Sequence, residues 1–314
     1  MTGPGAGTTT GAATPWLPDP APTRDAWTSG AGPLVEVVSP EALTRVGARA
    51  PLAGYVAQLW GRRSFLWEEA RGRVIGRTRE TVLGQAWLVV RPVLDGLAYY
   101  VVFGLLLGSR RGIDNYVGYL VVGTFLFAFT SQCLTSSTRS IRTGRALVRA
   151  FTFPRASLPV SAVLQGVVSL GPALLAMLLL VVVLPERERW GWSALLFPLV
   201  VALQAVFVLG ASLVVARVGA VLPDVNQLIS VLLRFWFYGS GVFFSFDGAV
   251  SHPVLLALVH ANPMFLVIDA ARDCLLYART PAFSTWAALT AWALGSLVAG
   301  ITFFWHGEES YGRA

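Results

Sequence analysis

The stretch that decides the fold is TRSIRTGRALVRAFTFPRASLP, residues Thr138 to Pro159. It contains five arginines and no acidic residue, and it lies between two strongly apolar runs, Tyr116–Leu134 and Val160–Leu184. Arginines cross a bilayer only at high cost, and short basic loops stay on the cytoplasmic side. The stretch therefore predicts a cytoplasmic loop between two membrane spans, and with it the orientation of the chain.

The arginines of this loop also have helical spacing. Four of them follow one another at intervals of three or four residues and so share one broad helical face: Arg139, Arg142, Arg145 and Arg149. We expect the helix to begin at Ser136, Ser137 or Thr138, which are suited to capping. Two interpretations stay open: a basic loop lying on anionic lipid, or a cytoplasmic docking helix for a soluble partner.

The composition places the chain in a membrane. Of its 314 residues, 55% are hydrophobic and 13% are charged, whereas soluble domains are roughly a quarter charged. All basic side chains other than the three histidines are arginines, because the sequence contains no lysine. This excludes a P-loop lysine and a Schiff-base lysine, so the chain is not expected to be an ATPase of the usual P-loop kind.

The cysteines and histidines give no sign of a disulfide or a metal site. Cys133 and Cys274 are the only cysteines, and each belongs to or follows an apolar run. His252, His260 and His306 lack the spacing of metal ligands. We interpret all five residues as structural, and we expect no cofactor in this chain.

Three segments are predicted along the chain. Residues 1–50 are rich in Gly, Ala, Thr and Pro without an apolar period, which is typical of a disordered tail; they lack a signal-peptide core and are expected to stay in the cytoplasm. Within residues 51–82, apolar and aromatic residues from Pro51 to Trp67 fall near helical spacing, predicting an amphipathic interface helix followed by a basic flank. Residues 83–314 form the transmembrane domain.

An all-α integral membrane fold with six spans is predicted, each near the ~20 residues needed to cross a bilayer. The spans are Leu88–Leu107, Tyr116–Leu134, Val160–Leu184, Ser193–Ala216, Val225–Phe246 and Ser284–Trp305. Both termini are then cytoplasmic. The apolar run within Ser251–Ile268 is too short to cross, so we expect two short re-entrant helices before the last span. No convincing internal repeat is visible, which disfavours an inverted-repeat secondary transporter.

Arg234 lies inside the predicted fifth span among several aromatic residues. A charge there either snorkels to the interface or faces a water-filled cavity, and we favour the cavity. Tyr238 is four residues away and shares its helical face, whereas Trp236 is expected to point elsewhere, toward a dimer partner. The rings either stack on sugars or pack against lipid and the protein core.

Acidic residues offer little for catalysis. Asp269, Arg272 and Asp273 are spaced for a local contact on a helix, which we interpret as structural. Only Asp95 lies within a predicted span, whereas a polyprenol-phosphate sugar transferase needs clustered intramembrane carboxylates. A membrane polyprenol-phosphate sugar transferase therefore remains as the enzymatic hypothesis, in contrast to a transporter.

Five short motifs follow one another along the chain: LGQAW (Leu83–Trp87), Arg91-Pro92, VFG (Val102–Gly104), GYLVVGTFLFAF (Gly118–Phe129) and FPRASLP (Phe153–Pro159). Their order resembles the ABC-2 family of exporter permeases, in particular the permease subunits of O-antigen and wall teichoic acid exporters. The resemblance runs from about Tyr55 to the C-terminus. It implies a six-span subunit that dimerises around a polysaccharide channel, with an interface helix, a coupling helix between spans two and three, and re-entrant outer helices.

The resemblance also implies partners and site residues. Two copies of a separate ATP-binding subunit, which holds ATP and Mg, dock beneath a homodimer on the coupling helix, residues Arg139 to Phe151. Channel-lining residues are expected to be Tyr99, Phe103, Arg234, Tyr238 and Phe243. The substrate entrance is expected at Arg71, Arg73, Leu83, Gly84 and Arg91, where guanidinium groups pair with a diphosphate. Leu222-Pro223-Asp224 forms the second cytoplasmic loop.

Two departures from the family pattern are visible. The usual lysines before the first span are replaced by Arg71, Arg73, Arg77 and Arg79. A Ser-Pro pair after the fifth span is replaced by Gly239-Ser240-Gly241.

The resulting hypothesis is a multi-pass plasma-membrane permease of an ATP-driven exporter of lipid-linked cell-surface polysaccharide. The alternative is an ABC-2 permease for drugs or lipids. Membrane lipid is an expected contact, and nucleic acid is not an expected partner.

Overall fold

The computed structural model describes residues 51–79, 86–99, 101–102, 115–144, 154–183, 191–222, 224–244, 246 and 252–308. The predicted N-terminal tail, residues 1–50, lies outside this part of the chain. All secondary structure in the described residues is helical. The helices are α1 (Leu52–Gly61), α2 (Arg63–Arg79), α3 (Trp87–Tyr99), α4 (Tyr116–Thr143), α5 (Ser157–Val183), α6 (Phe197–Val221), α7 (Val225–Tyr238), α8 (Pro253–Ala261), α9 (Pro263–Leu275) and α10 (Phe283–His306). A 3₁₀ turn, Trp192–Leu196, leads into α6.

Four described segments are long and apolar enough to cross a bilayer. They are Tyr116–Thr143, Ser157–Val181, Trp192–Val221 and Phe283–His306, and they correspond to the predicted second, third, fourth and sixth spans. The predicted first span, Leu88–Leu107, is described only as α3 and residues 101–102. These helices confirm that the described part of the chain is all-helical and suited to a membrane.

The predicted fifth span is wrong at its far end. The prediction ran from Val225 to Phe246, but α7 ends at Tyr238 after 14 residues. That length is about 21 Å, shorter than the ~30 Å core of a bilayer. The chain turns at residues 239–244 because Gly239 follows the helix and Gly241 has φ +64°, a conformation that favours glycine.

The second span continues as a helix well beyond its predicted end at Leu134. Helix α4 runs to Thr143, and the Thr138 hydroxyl donates to the Leu134 carbonyl at 2.8 Å. The predicted helix start at Ser136, Ser137 or Thr138 is therefore wrong, since these residues lie inside α4. A Cβ added to Gly219 would lie 2.3 Å from the Thr138 carbonyl oxygen, so α6 packs directly on this extension.

The segment predicted as one interface helix consists of two. Helix α1 ends at Gly61, and α2 begins at Arg63 after a turn at Arg62. In α2, Leu66, Ala70 and Val74 recur every four residues and are buried, and this helix packs on α5. The side chains of Arg63, Arg71 and Arg73 and the rings of Phe65 and Trp67 are exposed, Phe65 to 66%.

Helix α4 forms the centre of the bundle. Of its 28 residues, 19 are buried, and it contacts α5, α6, α7 and α9. In contrast, four of the 24 residues of α10 are buried. Small residues bring α10 against α6: a Cβ on Gly300 would lie 2.3 Å from the Gly210 carbonyl oxygen.

Two short helices precede the last span, as predicted for the segment after α7. They are α8 and α9, separated by Asn262 alone. The Asn262 Oδ1 accepts a hydrogen bond from the Met264 N–H at 3.0 Å and so caps the start of α9.

Candidate functional site

The outward face of α7 carries a stripe of polar side chains. Gln227, Ser230, Arg234 and Tyr238 follow one another at intervals of three and four residues, and all four are exposed. The opposite face contains Val225, which is buried against the bundle. We call these four residues the α7 stripe; it includes two of the predicted channel-lining residues.

Aromatic rings gather at the end of the α7 stripe. Tyr238 stacks on Phe243 with ring centroids 5.7 Å apart and planes at 29°, and Phe237 meets both rings edge-on. Tyr238 is 51% exposed, whereas Phe243 is 6% exposed. Of these two predicted channel residues, Tyr238 therefore exposes its ring at the surface, and the buried Phe243 packs against the inner side of that ring.

The turn after α7 is held by a buried arginine. Arg272 of α9 is 2% exposed; it donates from Nη1 to the Gly241 carbonyl at 2.9 Å and from Nη2 to the Val242 carbonyl at 3.2 Å. Its Nε and Nη2 donate to the Tyr119 carbonyl of α4 at 3.2 and 3.0 Å, and the guanidinium lies over the Tyr119 ring. We call Tyr119, Gly241, Val242 and Arg272 the Arg272 cluster.

The surroundings of Arg272 differ from the predicted local contact. Asp269 is close enough to attract Arg272 electrostatically, but the hydrogen bonds of the guanidinium reach α4 and the turn. Gly123 leaves the space for this side chain, because a Cβ there would lie 2.8 Å from Arg272 Nη2. Arg272 thus joins three elements rather than one turn of a helix.

Asn262 provides a second tie to the end of α7. Its Oδ1 accepts from Trp236 Nε1 at 2.8 Å, and its Nδ2 donates to the Gly239 carbonyl at 3.0 Å and the Ser240 hydroxyl at 3.1 Å. The expectation that Trp236 points to a dimer partner is wrong, since its ring also packs edge-on against Phe127 within the same chain. The indole needs a hydrogen-bond acceptor, and Asn262 supplies it.

The predicted coupling arginines divide between described and undescribed residues. Arg139 and Arg142 are exposed at the end of α4, whereas Arg145 and Arg149 lie outside the described residues. Arg139 Nε donates to Asn226 Oδ1 at 2.8 Å. This contact connects the end of α4 to the beginning of α7, the helix that carries the stripe.

A buried carboxylate joins three segments at this same end of α4. Tyr55 of α1 donates to Glu308 Oε2 at 2.8 Å, and Glu308 Oε1 accepts from the Arg155 N–H at 3.0 Å. The Tyr55 hydroxyl also accepts from the Ala156 N–H at 3.0 Å, and Arg155 Nη1 donates to the Glu308 carbonyl. We call Tyr55, Arg155, Ala156 and Glu308 the Glu308 cluster.

Burial and the polar neighbours of Glu308 act on its carboxyl group in opposite directions. Burial raises the pKa of Glu308, while the hydrogen bonds from the Arg155 N–H and Tyr55 and the charge of Arg155 lower it; the net direction is upward. The carboxylate lies at the beginning of α5, where the helix dipole favours negative charge. Apolar residues of four helices pack around the cluster: Ile141, Leu213, Ala216 and Phe304 with Leu158.

The predicted entrance is only partly described. Arg71 and Arg73 are exposed on α2, and Arg73 pairs with Glu69 at 2.5 Å. Leu83 and Gly84 lie outside the described residues, and Arg91 is on α3 with an undescribed side chain. The same holds for two predicted channel residues: Tyr99 ends α3 with its side chain undescribed, and Phe103 lies outside. These assignments stay predictions.

Sequence reasoning missed three of these contacts: Tyr55 with Glu308, Arg139 with Asn226, and Asn262 with the end of α7. Their partners are 253, 87 and up to 26 residues apart, so spacing gives no signal. Glu308 offered one clue, because it is an acid directly after the last span. Within the described residues no group of three or more His, Cys, Asp or Glu could hold a metal ion.

The structure is thus a helical bundle with the α7 stripe on one outward face. Two buried charged residues, Arg272 and Glu308, hold the segments that follow or precede its helices. Residues 67–276, more than half of the chain, match the family model of the ABC-2 type transporters. The chain belongs to this family and is a multi-pass membrane protein.

Named relatives agree with this family. An O-antigen export system permease protein RfbA from Myxococcus xanthus is 25% identical over 260 residues, which is 82% of this chain and 98% of that protein. Two proteins of the same name from Klebsiella pneumoniae are 26% and 25% identical over 174 residues, covering 54% of this chain and 65% of each relative.

Proposed function

We propose that the chain is the permease subunit of an ATP-driven exporter that moves a lipid-linked cell-surface polysaccharide out of the cytoplasm. The α7 stripe carries this proposal. Four exposed polar residues in line on a helix of a membrane protein suit a water-filled path far better than lipid. The export permeases of O-antigen among its relatives support a glycan as the cargo.

The α7 stripe suits a sugar chain in two ways. The exposed ring of Tyr238 offers a flat surface for the C–H faces of sugars, with about 1 kcal/mol expected from one such aromatic contact. Gln227, Ser230 and Arg234 offer hydrogen bonds to hydroxyl groups that change as the chain slides. Stacking demands no fixed hydroxyl pattern, so successive sugars can pass the same residues.

The energy source is proposed to lie in a partner. The sequence has no lysine for a P-loop, so ATP and Mg bind in a separate ATP-binding subunit, two copies of which serve a homodimer of this chain. The arginines that begin with Arg139 and Arg142 form its cytoplasmic docking surface. The contact from Arg139 to Asn226 then passes movement of that surface to α7.

The entrance is proposed to lie on the cytoplasmic leaflet beside α2 and α3. Arg71 and Arg73 are exposed on α2, and guanidinium groups pair well with phosphate oxygens. In this topology both termini are cytoplasmic, the Glu308 cluster is at the cytoplasmic end, and the Arg272 cluster is at the outer end of the plasma membrane.

The test is substitution along α7, measured as export of polysaccharide at matched levels of assembled transporter. Arg234→Leu and Tyr238→Ala are expected to reduce export while the subunit still assembles with its ATPase. Leu232→Ala is the matched control, because Leu232 is 50% exposed on the same helix but lies away from the stripe. Normal export by Arg234→Leu would show that another helix lines the path.

A second measurement tests the cargo and the division of labour. The purified permease alone is expected to hydrolyse no ATP, and its complex with the ATP-binding subunit is expected to hydrolyse ATP faster when lipid-linked glycan is added. Stimulation by drugs or free lipids but not by glycan would favour the alternative exporter. Vanadate-sensitive hydrolysis by the permease alone would contradict the proposal.

A further inference from the structure

Two charged side chains, one on α3 and one on α7, point away from their own chain. Asp95 is exposed on α3 and Arg234 is exposed on α7. Within the described residues neither takes part in an ion pair, a hydrogen bond or a ring contact. In contrast, Arg139 binds Asn226, Arg155 binds Glu308, and Arg272 binds three carbonyl groups.

Each of these charges lies opposite the face that packs on the bundle. On α3, Val89 and Val93 pack against the main core, and Asp95 is about 160° around the helix from Val93 at 100° per residue. On α7, Arg234 is about 180° from the buried Val225. Both charges therefore face whatever covers the chain in the membrane.

Lipid is an unfavourable cover for either charge, because hydrocarbon solvates neither a carboxylate nor a guanidinium. The flanking residues point the same way, since Asp95 and Arg234 both stand beside exposed apolar side chains such as Leu94 and Val231. Beside the proposed water-filled path, the surface that covers these faces must offer an acid to Arg234, a base to Asp95 and apolar contacts to their neighbours. A second copy of this chain has that combination.

The two charges also lie at similar distances from the starts of their helices. Asp95 is eight residues from the beginning of α3, about 12 Å, and Arg234 is nine residues from the beginning of α7, about 13.5 Å. In the predicted topology both helices run from the cytoplasmic side outward. A two-fold axis along the membrane normal keeps the depth of each residue unchanged in the second copy.

We propose that Asp95 of each protomer forms an ion pair with Arg234 of its partner. A two-fold interface is self-complementary, so one contact occurs twice. The pair completes the α7 stripe with a residue from the other subunit and neutralises an arginine that would otherwise hold a passing diphosphate. This inference rests on the homodimer of the proposed function.

The first test reverses the charges in native membranes and measures the recovery of one tagged protomer with another. Asp95→Arg and Arg234→Asp are each expected to lower dimer recovery by about tenfold or more, since like charges then face each other. The double variant is expected to restore recovery. Arg279→Asp is the matched control, an exposed arginine in the link between α9 and α10.

If both single variants lose the dimer and the double variant does not restore it, the proposed ion pair is overturned. Unchanged dimers in both single variants would overturn it as well. Either result leaves the exporter and its dimer standing, because wild-type protomers still recover each other. Wild-type protomers that fail to recover each other would overturn the homodimer itself.

The second test avoids charged substitutions. One tagged protomer carries Asp95→Cys and a differently tagged protomer carries Arg234→Cys, so any link between the tags joins two subunits. A bifunctional thiol reagent is used because a disulfide tolerates only about 4.4–6.8 Å between Cα atoms, less than an Asp–Arg pair spans. The native Cys133 and Cys274 are buried and give little background.

A mixed-tag product is expected for Asp95→Cys with Arg234→Cys. It is expected to be much weaker for Leu97→Cys with Arg234→Cys, since Leu97 is exposed on a different face of α3. Equal products from the two combinations, or none from the first while the tags still co-purify, would overturn the proposal.

Discussion

The Arg272 cluster and the Glu308 cluster hold opposite ends of α4 with opposite charges. Arg272 donates to carbonyl groups of α4 and of a non-helical turn, and the positions of those carbonyls demand the forked guanidinium. Glu308 accepts from a tyrosine and from an N–H at the beginning of α5, where the helix dipole assists. The first cluster depends on the shape of a charged group, and the second depends mainly on an acceptor in the right place.

The largest effect is expected from Arg272→Met. It removes the guanidinium donor from the carbonyl groups of Tyr119, Gly241 and Val242, of which Gly241 still accepts from the Tyr119 hydroxyl at 3.0 Å, and we expect a loss of about 3–5 kcal/mol of stability. Arg272→Lys is expected to recover only part, because an ammonium cannot match the fork. Thermal unfolding in detergent measures this, and Arg279→Met should melt like the wild type. A wild-type melting temperature for Arg272→Met would remove the Arg272 cluster as a structural clamp.

Asn262→Ala should follow, with a loss of about 2 kcal/mol, since it removes the cap of α9 and the ties to Trp236 and Gly239 together. Asn262→Asp keeps the acceptor for Trp236 and Met264 but loses the Nδ2 donor, so an intermediate melting temperature is expected. Equal melting of both variants would show that the donor, and not the cap, carries the stability.

Tyr55→Phe is expected to destabilise the protein by about 1–2 kcal/mol. Its hydroxyl both donates to Glu308 and accepts from the Ala156 N–H, so two buried groups lose a partner. Tyr238→Phe serves as the control for removing a tyrosine hydroxyl, because Tyr238 is exposed. Unfolding by a graded denaturant would report both; identical losses would contradict a special role for Tyr55.

The smallest effect is expected from Glu308→Gln at neutral pH, a loss of about 1 kcal/mol, because the single amide oxygen keeps one of the two accepted hydrogen bonds and the amide nitrogen cannot accept the other. The pH dependence of stability distinguishes wild type from Glu308→Gln more clearly. The pKa of Glu308 is raised above its ordinary value of 4.5, so folding favours the protonated acid. Stability from this group is complete below the ordinary value and is lost as the pH rises through the raised one.

Wild type should therefore gain melting temperature relative to Glu308→Gln as the pH falls from 7 toward 4.5. Parallel profiles for the two proteins over that range would show that the carboxyl group is not perturbed by burial. If wild type instead lost melting temperature relative to Glu308→Gln as the pH falls, the Arg155 charge would outweigh burial in setting the pKa of Glu308.

The helices were predictable where apolar composition alone sets them. The last span was predicted as Ser284–Trp305 and observed as Phe283–His306, and the third was predicted as Val160–Leu184 and observed as Ser157–Val183. Hydropathy fails where a helix continues past its apolar run, as in α4, whose hydroxyl groups bond back to its own carbonyls. It also fails at α7, since an apolar run continues through a turn that glycine conformation creates.

The site was predictable only in part, for a related reason. Arg234 and Tyr238 could be placed on one face because four residues separate them on a helix, and both are exposed on that face. Arg272 had to be interpreted from its neighbours in sequence, yet its hydrogen bonds reach residues up to 153 positions away. Such contacts depend on the packing of α9 against α4, which no local spacing contains.

The close approach of Gly210 and Gly300 has a mechanical consequence. Because α6 and α10 meet backbone to backbone, no flexible side chain separates them that could deform when one helix slides past the other. The two helices therefore move as one rigid unit. A transporter that alternates between states must then move α6 and α10 together and change shape elsewhere in the bundle.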